Sequence, residues 1–320
     1  MNSACSVPVV LSLTVVICAY TLDRWSDLQQ AVRSVQAQAV PPLQVVVVID
    51  HDGELLALAA KTLTSCLVVA NAGPQGLSGG RNTGVAASTG EVVAFLDDDA
   101  VVEPSWAQEL LAAYTDDGVV GVGGSVLPEW RAPRPDWFPD EFLWVVGCSY
   151  RGQPANRAAV RNAIGANMSF RRDVLEQIGG FHPGIGRVGG DAAWCEETEL
   201  SVRAGKVRPG ARILLEPAAV AHHAVTPQRV TRAYFRQRCR AEGRSKAVVC
   251  DLTGAQQALA SERTYTSRTL PSGVLLGLGQ ALRGDPAGAR RAWAMCEGFA
   301  LTASSYLLAR RGLRRPASGG

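Results

Sequence analysis

The segment from Gln44 to Ile49 reads QVVVVI, five β-branched side chains in a row with no polar residue between them. A strand with one face in water alternates polar and apolar residues. This one needs cover on both faces, the situation of a strand inside a parallel sheet flanked by helices. Leu13 to Ile17 and Val92 to Leu96 read the same way, and Leu67 to Val69 is a shorter candidate. Between these runs lie helical patterns. Trp25, Leu28, Val32 and Val35 recur at helical spacing, Pro41 and Pro42 end that helix, and two more helices are expected near Glu54 to Thr64 and over Gly79 to Ser88. The order βαβα predicts an α/β fold with a mostly parallel, doubly wound sheet flanked by helices.

With 320 residues, 47% of them hydrophobic, the chain can bury a sizeable core in one large α/β domain or in one domain with an appended piece, and disorder is excluded as its dominant state. From Pro128 to Pro154 five prolines and three tryptophans break the rhythm, and this stretch reads as an irregular functional loop. Regular pattern resumes at Ile164 to Phe170, with helices over Arg172 to Ile178 and Glu196 to Ala204. Past Pro227 the chain turns helical and basic, which sets boundaries at 8–227 for a catalytic domain and 228–320 for a helical C-terminal extension. Gly184 to Gly189 satisfies GxGxxG but follows His182-Pro183 instead of a strand, so it reads as a flexible loop. The apolar stretch Val7 to Tyr20 lacks a basic flank and a cleavage site and is taken as a buried strand. Eight scattered cysteines without a CxxC exclude a zinc ribbon and fit a cytoplasmic protein.

The chemistry sits where the strands stop. Asp50 follows VVVVI, and Asp97, Asp98 and Asp99 follow VVAFL. In a parallel α/β sheet, ligands bind at the C-terminal strand ends. Three adjacent carboxylates repel one another unless a divalent cation such as Mg2+ or Mn2+ offsets their charge. Extended geometry points Asp97 and Asp99 the same way, one placed to hold a metal and the other to meet the sugar of a bound nucleotide.

The run NAGPQGLSGGRNTGVAASTGEVVAFLDDDA (Asn71 to Ala100) resembles glycosyltransferase family 2, enzymes of the GT-A fold that use nucleotide sugars. GANMSFRRDVLEQIGGF (Gly165 to Phe181) and CEETELSVRAG (Cys195 to Gly205) extend the match over roughly residues 10 to 245. The resemblance implies a GT-A-like (Rossmann-like) fold and transfer of one sugar, with inversion, from a nucleotide diphosphate sugar to a glycan, lipid-linked or small-molecule acceptor in cell-envelope or glycan biosynthesis. It places Asp50, Arg81, Asn82, Asp97 and Asp98 around the donor, and Asp97 and Asp99 in the DXD motif, with Asp99 the direct metal ligand. His222 or His223 would complete the metal site, and His222 is the candidate carried forward. The general base falls in an acidic pair, here Glu196-Glu197, at Glu197, where the family commonly has Asp. Two rivals stand beside this reading, a nucleotidyltransferase and a non-catalytic sugar-nucleotide or glycan-binding protein.

The net charge of +3 on its face argues against anionic partners, but it is a cancellation. Residues 1–200 hold 12 basic and 23 acidic side chains, and the remainder hold 20 and 6. Arg229, Arg232, Arg236, Arg240 and Arg244 recur at helical spacing, a stripe suited to anionic lipid headgroups or equally to a solvated face. Nucleic acid is not expected as a partner. The expected location is cytoplasmic, with peripheral contact on the inner face of an anionic cell membrane as a further expectation.

Overall fold

The computed structural model describes residues 11–183, 185–188, 191–193, 195–254 and 260–313. The expected alternation occupies the first part: β1 (Leu13–Ala19), α1 (Trp25–Gln36), β2 (Gln44–Ile49), α2 (Gly53–Thr62), β3 (Leu67–Ala70), α3 (Leu77–Ala87) and β4 (Val92–Asp97). Then come β5 (Ala100–Val102), α4 (Trp106–Ala112), β6 (Val119–Trp130), a 3-10 helix (Asp140–Val146), β7 (Ala158–Val160), β8 (Asn167–Arg171) and α5 (Arg172–Ile178). A hairpin of β9 (Gly186–Val188) and β10 (Asp191–Ala193) precedes α6 (Glu196–Ala204) and the long β11 (Arg212–Val225). The chain closes with α7 (Arg232–Thr253), α8 (Ala260–Thr264), α9 (Leu270–Leu282) and α10 (Pro286–Leu313).

The main sheet runs β3-β2-β1-β4-β8-β6-β11-β5, with β7 also on β11. Strands β3 to β4 are parallel as expected. The sheet as a whole is mixed: β8 lies antiparallel between β4 and β6, and β5 and β7 are antiparallel on β11. Periodicity along a strand reports burial on each face and carries no information about the direction of its neighbours.

Both faces are covered. Val15 and Ile17 pack with α1, α2 and α4 through Leu28, Val32, Leu55 and Trp106. Val16 between them faces the other layer, with Val174 and Leu175 of α5 and Leu200 of α6. The segment predicted as an irregular loop has a different fate. Trp130 still belongs to β6, and Phe138, Phe142, Val145 and Val146 are buried in a third core with Phe235 and Cys239 of α7 and Met295 of α10. Its aromatics lack helical or strand spacing because they come from turns and a 3-10 helix, yet they provide the apolar surface on which the C-terminal helices dock. Where α7 crosses α10, Gly243 has no side chain to obstruct the contact; a Cβ there would lie 2.3 Å from the Thr302 carbonyl oxygen. Where it is described, the GxGxxG segment contributes a strand and not a loop, β9, which pairs with β10 beyond it; Gly184, Gly189 and Gly190 lie outside the described residues. Among the described residues no helix is long and apolar enough to cross a membrane.

Candidate functional site

Strand β4 delivers Asp97 at its last residue, and the chain turns through Asp98 and Asp99 directly into β5. Because β5 pairs with β11 in the register His223 opposite Ala100, and the Ala224 N–H donates to the Asp99 carbonyl, the turn is held against β11. Asp97, Asp99 and His223 thereby offer one ligand atom each, all within 4.8 Å of one another. Two carboxylates and an imidazole are an oxygen-rich donor set that suits a hard or borderline divalent cation. The Asp99 oxygens are buried with only ion pairs around them, Oδ1 toward His223 and Oδ2 toward Arg24 and Arg229.

The histidine in this cluster is His223. His222, carried forward from the sequence, points the opposite way, because successive side chains alternate along β11, and its Nε2 lies 3.1 Å from Glu103. His223 is buried with Nε2 3.1 Å from Asp99 Oδ1. Two arginines join them: Arg24, just before α1, at 2.9 Å from Asp98 and 3.2 Å from Asp99, and Arg229 at 3.6 Å from Asp99. Burial pushes Asp98 up to about 7, aided by the neighbouring Asp99 charge and opposed by Arg24. For Asp99 burial acts in the same upward direction, but the His223 ring, Arg24 and Arg229 outweigh it and hold the carboxyl well below its usual range. Burial works against a charged His223, and the Asp99 carboxylate overrides it, raising the ring to about 10.

Arg81 sits on α3 and is itself buried. Its guanidinium is 2.8 Å from Glu196, 3.5 Å from Asp97, and donates to the Gly165 carbonyl at 3.1 Å, so it ties the acidic turn to the start of α6. The resemblance sets Arg81 beside the donor nucleotide; within the protein its polar partners are these carboxylates and that carbonyl. Asn82 is engaged likewise: its amide donates to the Phe181 carbonyl and accepts from the Phe181 N–H. Asp50, half-buried at the end of β2, accepts from Asn71 at 2.6 Å and from the Gly76 N–H at 2.9 Å, which shapes the loop leading into α3.

Glu197 opens α6 beside Glu196. Desolvation, with the Glu196 charge second, raises its carboxyl to about 8. Cys195 before it adopts a left-handed conformation (φ 86°), rare for a residue with a side chain and found where structure around it enforces it. Its Sγ lies 3.9 Å from Glu242 of α7, which pairs with Lys246 at 2.8 Å; Lys246 and Arg161 both pair with Glu262 of α8. The C-terminal helices are therefore wired to the start of α6.

Three members of this neighbourhood were not assigned their places from sequence. Choosing His223 over His222 requires the register of β11 on β5. Arg229 belongs to the arginine pattern but precedes α7 and turns inward. Arg24 is a lone arginine at a helix start and carries no sequence signal.

A Rossmann-like mixed sheet with an Asp-Asp-Asp turn at its C-terminal edge, faced by a strand histidine and an acidic helix start, defines a glycosyltransferase of the GT-A class. The chain belongs to glycosyl transferase family 2, whose family model matches residues 14–179. It is 33% identical over 243 residues to the glucosyl-dolichyl phosphate glucuronosyltransferase of Haloferax volcanii, covering 75% of this chain and 77% of that one. It is 27% identical over 238 residues to the succinoglycan biosynthesis protein ExoM of Rhizobium meliloti, covering 71% and 72%. The fold resembles that of the mannosyltransferase PcManGT from Pyrobaculum calidifontis, solved with GDP-Man and Mn2+, at a TM-score of 0.57 and 19% identity over 93% of this chain and 87% of that one.

Proposed function

We propose that this glycosyltransferase is metal-dependent and inverting, moving one sugar from a nucleotide diphosphate sugar to a glycan or lipid-linked acceptor. The convergence of Asp97, Asp99 and His223 at the strand ends carries the reading. These three residues would hold Mn2+ or Mg2+, and a bound cation would offset the negative charge that develops on the departing diphosphate. The lipid-linked alternative draws support from the relative named for a dolichyl phosphate substrate. Residues 8–227 form the catalytic domain in this proposal, and 228–320 an extension that buttresses α6.

Glu197 acts as the base. Its carboxylate takes the proton of the acceptor hydroxyl; the hydroxyl oxygen bonds to the anomeric carbon as that carbon's bond to the diphosphate oxygen breaks, and the leaving group departs with the electron pair. Glu196 is neutralised by Arg81, which leaves Glu197 as the member of the pair suited to proton transfer. Incubation with sugar nucleotides and Mn2+ or Mg2+ tests the scheme: a nucleoside diphosphate accompanies every sugar transferred. Pyrophosphate as product would instead establish nucleotidyl transfer, and tight donor binding without turnover would establish a binding protein.

The metal site makes a separate prediction. His223 binds a proton beside Asp99 in the metal-free protein, whereas an imidazole ligand must be neutral. Below about pH 10 metal binding releases that proton, so affinity rises with pH, by roughly tenfold per unit. Calorimetric Mn2+ titrations at two pH values, in buffers of different ionisation enthalpy, measure this directly; a pH-independent affinity would remove His223 from the ligand set.

A further inference from the structure

Fifteen large hydrophobic residues are exposed among the described residues, and ten of them fall between Val248 and Leu308. The concentration is greatest on α9. This helix buries Leu270, Gly273 and Gly277, with Gly277 set against Gly288 of α10. Leu275, Leu278 and Leu282, spaced three and four residues apart, lie on the opposite side, with Leu275 69% and Leu282 90% exposed. On α10, Ala292 and Met295 are buried while Trp293 between them is 67% exposed, and Leu307 and Leu308 are exposed further along. An apolar stripe of this kind, on the outer side of an otherwise well-packed pair of helices, marks an interaction surface.

The charges around it identify the partner. All three acidic residues in 260–313 are already held in ion pairs, Glu262 with Arg161, Asp285 with Arg291 and Glu297 with Arg232. Arg263, Arg268, Arg283, Arg310 and Arg311 form no ion pair among the described residues. Arg268 and Arg283 bracket α9, one at each end of the leucine stripe. Exposed leucines and a tryptophan framed by unneutralised arginines fit a surface that is apolar below and anionic at its boundary. A second copy of this chain fits poorly, because a two-fold contact would set arginine against arginine with no free carboxylate between them.

We propose that the outer face of α9, with the exposed Trp293 side of α10, docks on an anionic lipid bilayer, lying in its interface without crossing it. The docking is independent of which sugar or acceptor the active site uses.

The full-length protein is floated with vesicles of phosphatidylglycerol and phosphatidylcholine in equal parts, and with phosphatidylcholine alone. Wild type rises with the anionic vesicles and far less with the neutral ones. The triple variant Leu275→Glu, Leu278→Glu, Leu282→Glu lowers the partition coefficient roughly tenfold or more. Its thermal midpoint stays at that of wild type, since all three side chains are already exposed. Arg268→Ser with Arg283→Ser lowers binding to anionic vesicles and leaves the weak neutral binding as it is. Wild type remaining at the bottom of the gradient with anionic vesicles, or the leucine variant floating undiminished, overturns the proposal. So does a wild-type dimer in sedimentation that the same leucine variant dissociates. Nucleoside diphosphate release from a soluble donor is read in parallel, so that loss of docking and loss of the transferase reading remain distinguishable.

Discussion

Asp99→Ala lowers sugar transfer by roughly a hundred- to a thousandfold, the size of effect seen when stabilisation of developing charge is lost from a desolvated site, here because a carboxylate that would hold the cation is gone. It also destabilises the metal-free protein, because His223, Arg24 and Arg229 all direct positive charge at this carboxylate. Removing one partner from a buried ion pair costs about 3–5 kcal/mol, and the exposure of Arg24 places this site toward the lower end. Asp98→Asn is the contrast. The isosteric amide keeps an oxygen facing Arg24 at the 2.9 Å contact, and residue 98 is not one of the three converging ligand positions, so the change costs less in stability and in turnover than Asp99→Ala. Parallel turnover and thermal-midpoint measurements on the two variants test the assignment; equal losses at 98 and 99 would place the metal elsewhere.

Glu197→Gln is expected to reduce transfer by roughly 10²–10⁴-fold, the usual contribution of a positioned base, while donor affinity stays at the wild-type level. The pH profile identifies the role. A base works in its deprotonated form, and a carboxyl raised to about 8 gains that form as pH rises, so with metal saturating at every pH kcat/KM climbs below about 8 and levels above it. In the glutamine variant the climb disappears. Glu196→Gln acts differently: it leaves the buried Arg81 short of its 2.8 Å partner, so its first effect is lower stability. A wild-type profile with no rise between pH 6 and 8 would exclude Glu197 as the base.

The parts of this molecule that were legible in its sequence are those set by local pattern. Uninterrupted runs such as QVVVVI report two-sided burial, and α5 and α6 occupy the spans that their spacing and flanking glycines indicate. The antiparallel insertion of β8 was not legible, since Asn167–Arg171 reads as an ordinary strand whichever way its neighbours run. Nor were the commitments of Arg81 and Asn82. Both stand in the motif shared with the family, yet their partners Glu196, Gly165 and Phe181 arrive from the far side of the chain. The arginine stripe was half legible. Arg232 and Arg236 pair with Glu297, a residue separated from them in sequence, and Arg229 turns into the carboxylate cluster, so a row drawn on one helical face divides among two destinations.

Asp99 occupies a turn with an architectural consequence. Strand β4 lies in the middle of the sheet and β5 at its edge, with β8, β6 and β11 between them, yet only Asp98 and Asp99 separate β4 from β5. For so short a link to reach, the sheet must curl until its edge meets its centre, and the acidic turn is the seam. A cation shared by Asp97, Asp99 and His223 would act as a rivet across that seam, fastening the first half of the fold to a strand built from residues more than a hundred positions later. Metal loading and mechanical integrity of the sheet are on this view one property, and a ligand that binds only the closed seam raises the folding stability of the whole domain by mass action.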